Sequence, residues 1–409
     1  MSLKLAIIST HPIQYFAPVF KLLAKECTTK VFYTWGLAGV NQKFDKDFGK
    51  KIQWDIPLLE GYDHEFLKNN SGDPGSHHFR GIQNPDIIDR INDFEPSVIF
   101  VYGWAYWSHL KVIRHFSGKI PVWFRGDSTL IDEKSSWKKL MRKALLNWVY
   151  HYIDKAFYVG TANKAYFKKF GLKEHQLVFS PHAVDNDRFA EDRSIEANSI
   201  RKHLEVSESD VLILFAGKLE RRKNPGSLLE SFIQLNKPNV HLLFVGNGEL
   251  EQSLKLKVES LSFNSSFDST QYDITKHDNG IQRNSSQKER IHFMDFQNQS
   301  YMPAIYQASD LVCLPSETET WGLVINEAMA AGRAVLVSEK VGCALDLVDG
   351  SNGTVFCNKK GLSECLNELF TDKKKLIKMG LESKMLIANW TFKKQTNAIL
   401  CELEDLKNG

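Results

Sequence analysis

The sequence predicts an α/β fold of parallel sheets covered by helices on both faces. Short apolar runs alternate along the chain with segments whose apolar residues recur at helical spacing, as do Ile87, Ile88 and Ile91. Several runs, such as residues 211–216, are apolar at every position, which is typical of strands buried on both faces. This alternation favours parallel sheets, and a length of 409 residues favours two or three domains.

The elements follow in order from these two patterns. Apolar runs predict strands at 3–9, 31–35, 98–102, 121–124, 156–159, 177–180, 211–216, 240–245, 291–294, 310–315 and 334–338. Helical spacing predicts helices at 19–26, 86–94, 112–116, 136–151, 162–170, 196–204, 226–235, from 249, 302–308, after 322, 361–389 and from 392 to about 406. Glycines, prolines and histidines make residues 36–85 loop-rich.

One segment, residues 260–288, departs from the alternation. It is rich in Ser, Asn, Asp and Gln and has few aliphatic residues, so it buries little apolar surface. We interpret it as a polar insertion or disordered loop. A solvated loop without function is favoured over an acceptor or partner site.

Composition excludes several classes of protein. The 43% hydrophobic and 25% charged residues are ordinary for a soluble globular protein, and a net charge of +3 does not indicate a nucleic-acid partner. The six cysteines are widely spaced, which favours buried free thiols in a reducing cytosol. No apolar segment reaches the roughly 20 residues of a membrane span, and the N-terminal run is too short for a signal peptide. We expect a cytoplasmic protein, with any membrane role peripheral.

The most informative stretch is residues 315–332, which predicts a strand, a polar loop and a helix. In a parallel sheet, ligands bind at such loops, outside the carboxyl ends of the strands. The amides of Gly322, Leu323 and Val324 are expected to be unpaired first-turn donors that suit a phosphate. Glu319 and Glu327 are eight positions apart, a helical rotation of about 800°, which would place both carboxylates near one face. They suit sugar or ribose hydroxyls, although a surface helix start with two acids is the alternative.

The Glu319–Glu327 spacing, the following Ala-Met-Ala-Ala-Gly and residues 335–338 resemble the retaining glycosyltransferases of family 4. The resemblance implies a GT-B fold, in which two Rossmann-like parallel-sheet domains face each other across a cleft. Residues 1–187 would bind the acceptor and 188–390 the nucleotide-sugar donor, while a C-terminal helix at 391–409 would return to the N-terminal domain. The polar segment 181–189 resembles the joint between such domains.

The resemblance also implies roles for single residues. Glu319 would hold the transferred sugar, Glu327 the nucleotide ribose, and the amides after Glu319 the sugar and diphosphate. These amides belong to Thr320, Trp321, Gly322, Leu323 and Val324.

A second set of donor residues follows the other strands of the C-terminal half. Lys218 and Lys223, after Gly217, are expected to neutralise the leaving diphosphate, although residues 221–223 also fit a solvated basic turn. Lys218 stands where the family usually has Arg, and Asn224 where it usually has Gly. Gly246 and Gly248 resemble a loop that borders the nucleotide, or form a tight turn, and Met294 aligns with the place where the base packs.

The acceptor side departs most from the family. His11, Gln14, Arg125 and Asp127 follow predicted strands and are expected to face the cleft. His11 has a suitable ordinary pKa of about 6.5 for a general base, but a role in loop packing is equally compatible. The resemblance implies front-side attack, in which the departing phosphate takes the acceptor's proton and no base is needed.

The resemblance implies no essential metal, and we expect no cofactor besides the nucleotide-sugar co-substrate. His77 and His78 form a loose pair that we interpret as solvated loop, and no metal-ligand cluster is evident. In helix 136–151, basic residues stand beside leucines. This helix either lies on an anionic membrane at the inner face and delivers a lipid-linked acceptor, or is an ordinary packed helix with a solvated basic face, which is favoured. The residues concerned are Lys138, Lys139, Leu140, Arg142, Lys143, Leu145 and Leu146.

We therefore expect a retaining hexosyltransferase that uses a nucleotide diphosphate sugar and a glycan or lipid-linked acceptor. Cell-surface polysaccharide or lipopolysaccharide biosynthesis is the expected setting, from the habit of the family. Two alternatives stay open. One is a nucleotide-sugar epimerase, which needs no acceptor, and the other is a catalytically silent sugar-nucleotide-binding protein, because His11, Lys218 and Arg125 depart from the family pattern.

Overall fold

The computed structural model describes residues 3–37, 43–45, 50–52, 54–131, 138–264, 286–370 and 372–408. The chain forms two compact units. The first lies within residues 1–44, 51–185 and 388–409, and the second within 45–50 and 186–387. Most of the predicted polar insertion, residues 265–285, lies outside the described residues.

The first unit is built on a seven-stranded parallel sheet with the order β5-β2-β1-β6-β7-β8-β9. The strands, numbered along the chain, are Lys4–Ser9 (β1), Thr28–Tyr33 (β2), Lys43–Asp45 (β3), Lys50–Ile52 (β4), Asp63–Phe66 (β5), Val98–Tyr102 (β6), Val122–Arg125 (β7), Lys155–Tyr158 (β8) and Leu177–Phe179 (β9). Strands β3 and β4 pair separately. The helices are Ala17–Glu26 (α1), Ile87–Phe94 (α2), Trp107–Phe116 (α3), Lys138–Tyr150 (α4) and Thr161–Lys169 (α5).

The second unit is built on a six-stranded parallel sheet with the order β12-β11-β10-β13-β14-β15. Its strands are Val211–Ala216 (β10), Val240–Val245 (β11), Ile291–Met294 (β12), Leu311–Leu314 (β13), Ala334–Ser338 (β14) and Gly353–Phe356 (β15). Its helices are Asn186–Ala190 (α6), Ser194–His203 (α7), Pro225–Leu235 (α8), Glu251–Asn264 (α9), Met302–Ala308 (α10), Leu323–Ala330 (α11), Ala344–Leu347 (α12), Lys359–Leu369 (α13) and Lys373–Ile387 (α14).

The last helix, Phe392–Asn408 (α15), packs against α1 and belongs to the first unit. Its residues Ile399 and Leu403 are buried in the same apolar cluster as Val19 and Phe20. Burying two such side chains contributes about 3–6 kcal/mol to the stability of the first unit.

The predicted α/β fold with two parallel-sheet domains and a C-terminal helix is confirmed. Four strands were not predicted. The short strands β3, β4 and β5 lie in the segment predicted to be loop-rich, and the fourth is β15. Strand β5 has the sequence Asp-His-Glu-Phe, and a polar edge strand of this kind lacks the apolar run on which the prediction depended. The single helix predicted at 361–389 is divided into α13 and α14.

Each sheet has one point at which the strand order reverses. In the first unit it lies between β1 and β6, and in the second between β10 and β13. Because all neighbouring strands are parallel, the loops that follow these pairs lie at one edge of the sheet. A ligand site is expected at this reversal point.

Buried His109 braces the reversal point of the first unit. Burial lowers its pKa to about 4, so the ring is neutral at pH 7. The neutral ring donates from Nδ1 to the Gly103 carbonyl oxygen, 2.7 Å away, and accepts at Nε2 from the Thr34 hydroxyl, 2.8 Å away. These bonds hold the segments that follow β6 and β2.

No helix among the described residues combines the length and the apolar character that crossing a membrane requires.

Candidate active site

The reversal point of the second unit brings together two of the predicted catalytic residues. Lys223 follows β10 and Glu319 follows β13, and their side chains form an ion pair between Nζ and Oε2. Both side chains are largely buried, with exposed fractions of 17% for Lys223 and 12% for Glu319. A second contact joins the same loops, because the Glu317 amide donates to the Arg222 carbonyl oxygen at 2.9 Å. The pair is therefore part of a fixed arrangement of two loops.

The loop after β10 explains how Lys223 reaches this place. Residues Arg221–Lys223 form a 3-10 helix, and Asn224 follows in the left-handed region with φ 53°. Asn tolerates this conformation better than residues other than Gly, which accounts for Asn224 standing where the family usually has Gly. Its side chain also caps α8 by accepting from the Ser227 amide at 3.4 Å. Lys218 lies two residues beyond β10 and is partly buried.

Glu319 does not lie on a helix, so the prediction that it shares a helical face with Glu327 is wrong. Helix α11 begins four residues later, at Leu323. The Glu319 backbone instead pairs with the segment after β14, because its amide donates to Lys340 O and its carbonyl oxygen accepts from Gly342 N, each at 3.0 Å. A Cβ on Gly342 would overlap the Thr320 carbonyl oxygen, so this close pairing requires glycine.

The start of α11 has the form that the anion-site hypothesis requires. Gly322, with φ 96°, precedes the helix and, as a glycine, offers it no side-chain cap. Leu323 and Val324 are partly exposed. Trp321 is different, because its ring is buried and its Nε1 donates to Asn326 Oδ1 at 2.9 Å. Thr320 is partly buried. Diphosphate binding by these backbone amides stays a prediction.

Glu327 is held inside the second unit. The residue is 4% exposed, and its Oε2 accepts from the Tyr306 hydroxyl at 2.7 Å. Tyr306 lies on α10 and is fully buried. This contact orients the carboxylate, whereas the predicted contact with a ribose stays untested.

The loops after β10, β11 and β12 lie side by side at the same edge. A Cβ on Gly246, which has φ 132°, would overlap the Gly217 carbonyl oxygen. Gly248 is equally close to the Leu219 carbonyl, where a Cβ would lie 2.5 Å from the oxygen. The glycines therefore do more than turn the chain, because they allow two loops to touch along their backbones.

Asn247, between these glycines, is a site residue that the sequence reasoning missed. Its Nδ2 donates to Glu251 Oε2 at 2.9 Å and to Asp295 Oδ1 at 3.0 Å, and its Oδ1 accepts from the Phe296 amide at 2.9 Å. Burial alone would raise the pKa of Glu251, but hydrogen bonds from Lys255 and Asn247 lower it. The sequence signal was an amide residue between two glycines at a strand end. Met294, the last residue of β12, is partly buried beside this network.

Two of the predicted acceptor-side residues lie at the reversal point of the first unit. His11 and Gln14 follow β1 and are partly buried. The His11 ring makes an edge contact with Trp35, at a centroid distance of 5.3 Å, and its Nδ1 lies 2.9 Å from Thr10 Oγ1. Asp127 lies two residues beyond β7 and is also partly buried. Their roles toward an acceptor stay predictions.

Arg125 does not face an open site as expected, because it is only 2% exposed. Its Nη1 donates to the carbonyl oxygen of Ser180 at 2.9 Å and to its hydroxyl oxygen at 3.0 Å, and Nη2 donates to the Pro181 carbonyl oxygen at 3.3 Å. Burial lowers the pKa of Arg125. The guanidinium thus ties the end of β7 to the segment after β9, a contact that sequence patterns do not predict.

The sequence model of a family described as "Glycosyl transferases group 1" matches residues 210–372, which contain the Lys223–Glu319 pair. Those residues form a group 1 glycosyltransferase domain. The predicted relationship is therefore confirmed at the level of group 1 for these residues, while the assignment to family 4 and the retention of configuration stay predictions.

Two relatives match parts of the chain. A D-inositol 3-phosphate glycosyltransferase of Corynebacterium aurimucosum is 26% identical over 208 residues, which are 50% of this chain and 45% of that protein. The chain thus spans about half the length of this relative. An alpha-1,4-N-acetyl-D-galactosaminyltransferase of Campylobacter jejuni, named for an undecaprenol-linked substrate, is 30% identical over 122 residues, which are 29% of this chain and 30% of that protein.

A solved structure covers both units. Anabaena Alr3699/HepE, in complex with UDP and glucose, has a TM-score of 0.69 at 17% identity and covers 98% of this chain and 100% of its own. At this identity the likeness establishes the fold alone, and that fold agrees with the GT-B architecture that the resemblance implies. Residues 210–372 lie within the half of the chain that was predicted to bind the donor.

Proposed function

We propose that this chain transfers a hexose-type unit from a nucleotide diphosphate sugar to an acceptor. The observation that carries the proposal is the Lys223–Glu319 pair at the reversal point of the second sheet, beside the start of α11, where Gly322 offers no side-chain cap. A cation and a row of backbone amides suit a diphosphate, and a carboxylate suits a sugar hydroxyl. The donor joins a sugar to a diphosphate, and the site likewise places a carboxylate for the sugar next to a cation for the diphosphate.

For glycosyl transfer, the protein must stabilise the leaving diphosphate. As the bond between the anomeric carbon and the phosphate oxygen breaks, negative charge builds on the diphosphate. Lys218, Lys223 and the first amides of α11 would stabilise that charge. Glu319, fixed by its bonds to the segment after β14, would hold the sugar so that the anomeric carbon keeps its place.

We further propose that the transfer retains the anomeric configuration. The acceptor oxygen would bond to the anomeric carbon on the face from which the diphosphate leaves, and the acceptor's proton would pass to the departing phosphate oxygen. This step needs no protein base, so His11 would position the acceptor or its own loop. No metal is part of the proposed step.

A uridine diphosphate sugar is the donor that we propose, supported by the UDP bound to the Anabaena protein. Thermal unfolding with UDP, GDP, ADP and their common sugars should show selective stabilisation by the uridine compounds. A ligand at a hundred times its Kd adds about 2.7 kcal/mol to the free energy of unfolding.

The variant Glu327→Gln, which keeps the shape of the side chain, should lose much of this stabilisation, because it removes the charge that would accept from the ribose. Tyr306→Phe is the comparison variant, since it removes the hydroxyl that orients Glu327 but keeps the carboxylate, and it should lose less of the stabilisation than Glu327→Gln. If no nucleotide stabilised a folded sample, the assignment of a donor site to the second unit would be wrong. Binding without release of UDP would favour the silent sugar-nucleotide-binding protein, and a changed sugar without an acceptor would favour the epimerase.

For the acceptor we propose a glycan or glycolipid presented at an anionic membrane, at its cytoplasmic face, in cell-surface polysaccharide biosynthesis. Helix α4 supports this choice. One face is buried through Leu146, Val149 and Tyr150, but apolar residues also cover the opposite face. Their exposed fractions are 74% for Leu140, 63% for Met141, 46% for Leu145 and 39% for Trp148.

The charge of helix α4 also supports contact with an anionic membrane. Arg142 and Lys143 are exposed beside these residues, and the helix contains no acidic residue. An ordinary packed helix, favoured from the sequence, would not expose this apolar face, whereas a helix on an anionic surface uses both features. The undecaprenol-linked substrate in the name of the Campylobacter relative also supports a lipid-linked acceptor.

Vesicle binding tests this surface. The chain should sediment with vesicles that contain anionic lipid and should be released by salt. The double variant Leu140→Gln, Leu145→Gln should lower partitioning at least about tenfold, since burying one leucine contributes about 1.5–3 kcal/mol. Ile195→Gln is the control, because Ile195 is 82% exposed on α7 in the second unit. Equal sedimentation of the double variant and the control would exclude α4 as the contact.

A further inference from the structure

A cluster of three potential metal ligands lies in the first unit, on the segment between β5 and α2. Asp73, His77 and His78 each offer one ligand atom, and these atoms all lie within 4.8 Å of one another. Asp73 Oδ2 lies 3.4 Å from His77 Nε2 and 3.3 Å from His78 Nε2. These residues take no part in the donor site, which lies in the second unit.

The distances match the spacing of ligands around a small tetrahedral ion. Zinc binds imidazole nitrogen and carboxylate oxygen at about 2.0–2.2 Å, which places neighbouring ligand atoms about 3.4 Å apart in a tetrahedron. Both oxygen–nitrogen distances in the cluster agree with that edge. An ordinary hydrogen bond from a ring nitrogen to a carboxylate is shorter, at about 2.7–2.9 Å when charged.

The surrounding loop holds the three side chains in this arrangement. His77 folds back over Gly75 so closely that a Cβ there would overlap the ring nitrogen Nδ1. This turns Nε2, the other ring nitrogen, toward Asp73. Two hydrogen bonds close the loop, from Ser71 Oγ to Arg80 O at 2.7 Å and from Asn69 Nδ2 to Gly81 O at 2.9 Å.

We propose that Asp73, His77 and His78 bind a divalent transition-metal ion, with Zn²⁺ the best match. Two imidazoles and one carboxylate suit zinc, and also nickel or copper, better than magnesium or calcium, which prefer oxygen ligands. Three protein ligands leave a fourth position for water or for an oxygen of another molecule. His78 must give up its present bond to the Asp73 carbonyl oxygen, 2.9 Å from Nε2, to bind the ion. The interpretation of His77 and His78 as solvated loop is replaced by this proposal.

The test is a calorimetric titration of the tag-free full chain with Zn²⁺ as the only ligand. A separate titration with Mg²⁺ serves as the comparison. We expect one saturable zinc site and no comparable magnesium site. Mutation of a residue that only hydrogen-bonds to a metal ligand lowers metal affinity roughly tenfold to hundredfold. Each of Asp73→Asn, His77→Ala and His78→Ala removes a ligand itself and should weaken zinc binding by more than that. The three residues are on the surface, so the variants should fold, which circular dichroism checks.

His175→Ala is the matched control, because His175 is an exposed histidine outside the cluster. It should leave zinc binding unchanged. Zinc binding that is absent, that saturates at several equivalent weak sites, or that is the same in His77→Ala and His175→Ala would overturn the proposal. The donor site is measured separately with UDP, so failure of one assignment leaves the other testable.

Discussion

Replacing Lys223 by alanine is expected to slow UDP release from a UDP-sugar by about a hundredfold to a thousandfold. The change removes a cation from the position where the diphosphate would leave, and it leaves the largely buried carboxylate of Glu319 without this ion-pair partner. The measurement is the rate of UDP release, with water as acceptor, from the UDP-sugar that gives the largest thermal stabilisation.

Two further variants make this result specific. Arg221→Ala removes an exposed positive charge from the same 3-10 helix and should change the rate little. Lys223→Arg keeps the charge with a different geometry and should recover part of the rate. If Lys223→Ala and Arg221→Ala had the same small effect, the basic turn would be solvated surface and Lys223 would have no place in the chemistry.

Gly246→Ala is expected to destabilise the second unit by about 2–6 kcal/mol and to abolish nucleotide binding. Gly246 has φ 132°, where an L side chain is strained, and an added Cβ would overlap the Gly217 carbonyl oxygen. The loops after β10 and β11 must then move apart, which displaces Lys218 and Asn247. Urea unfolding gives the free energy, and the thermal shift with UDP reports the site.

Gly226→Ala is the matched glycine control. Gly226 lies in the first turn of α8, and an added Cβ would have no heavy atom within 4 Å. Alanine favours a helix over glycine by about 0.5–1 kcal/mol, so this variant should be as stable as the wild type or more stable. Equal stability and equal UDP binding in Gly246→Ala would show that the two loops do not need their close contact.

The sequence predicted most strands and helices because buried parallel strands are apolar at all or nearly all positions, as in β10, β11 and β14. It did not predict the order of the strands. Lys223 and Glu319 meet because β10 and β13 are neighbours, although β11 and β12 lie between them along the chain. Local periodicity carries no information about that order. The ion pair could therefore not have been placed from spacing alone.

The errors have a common physical origin. Glu319 was placed on a helix because its spacing from Glu327 is compatible with one, but its backbone is held by residues after β14, far away in sequence. Arg125 stands at a strand end like a ligand-binding residue, and long-range bonds to Ser180 and Pro181 bury it. The two interpretations of α4 stayed open in the sequence, because amphipathic spacing shows which residues share a face and not what covers that face.

The central claim is that Lys218 and Lys223 bind the diphosphate of a nucleotide sugar. Calorimetric titration of UDP and of uridine, into the wild type and the double variant Lys218→Ala, Lys223→Ala, tests it most directly. One hydrogen bond to a charged group contributes about 1.5–3 kcal/mol, or about tenfold to hundredfold in Kd. The wild type should therefore prefer UDP to uridine by at least that factor, and the double variant should lose the preference while keeping its affinity for uridine. An unchanged preference for UDP in the double variant, or no binding of UDP to the wild type, would contradict the account.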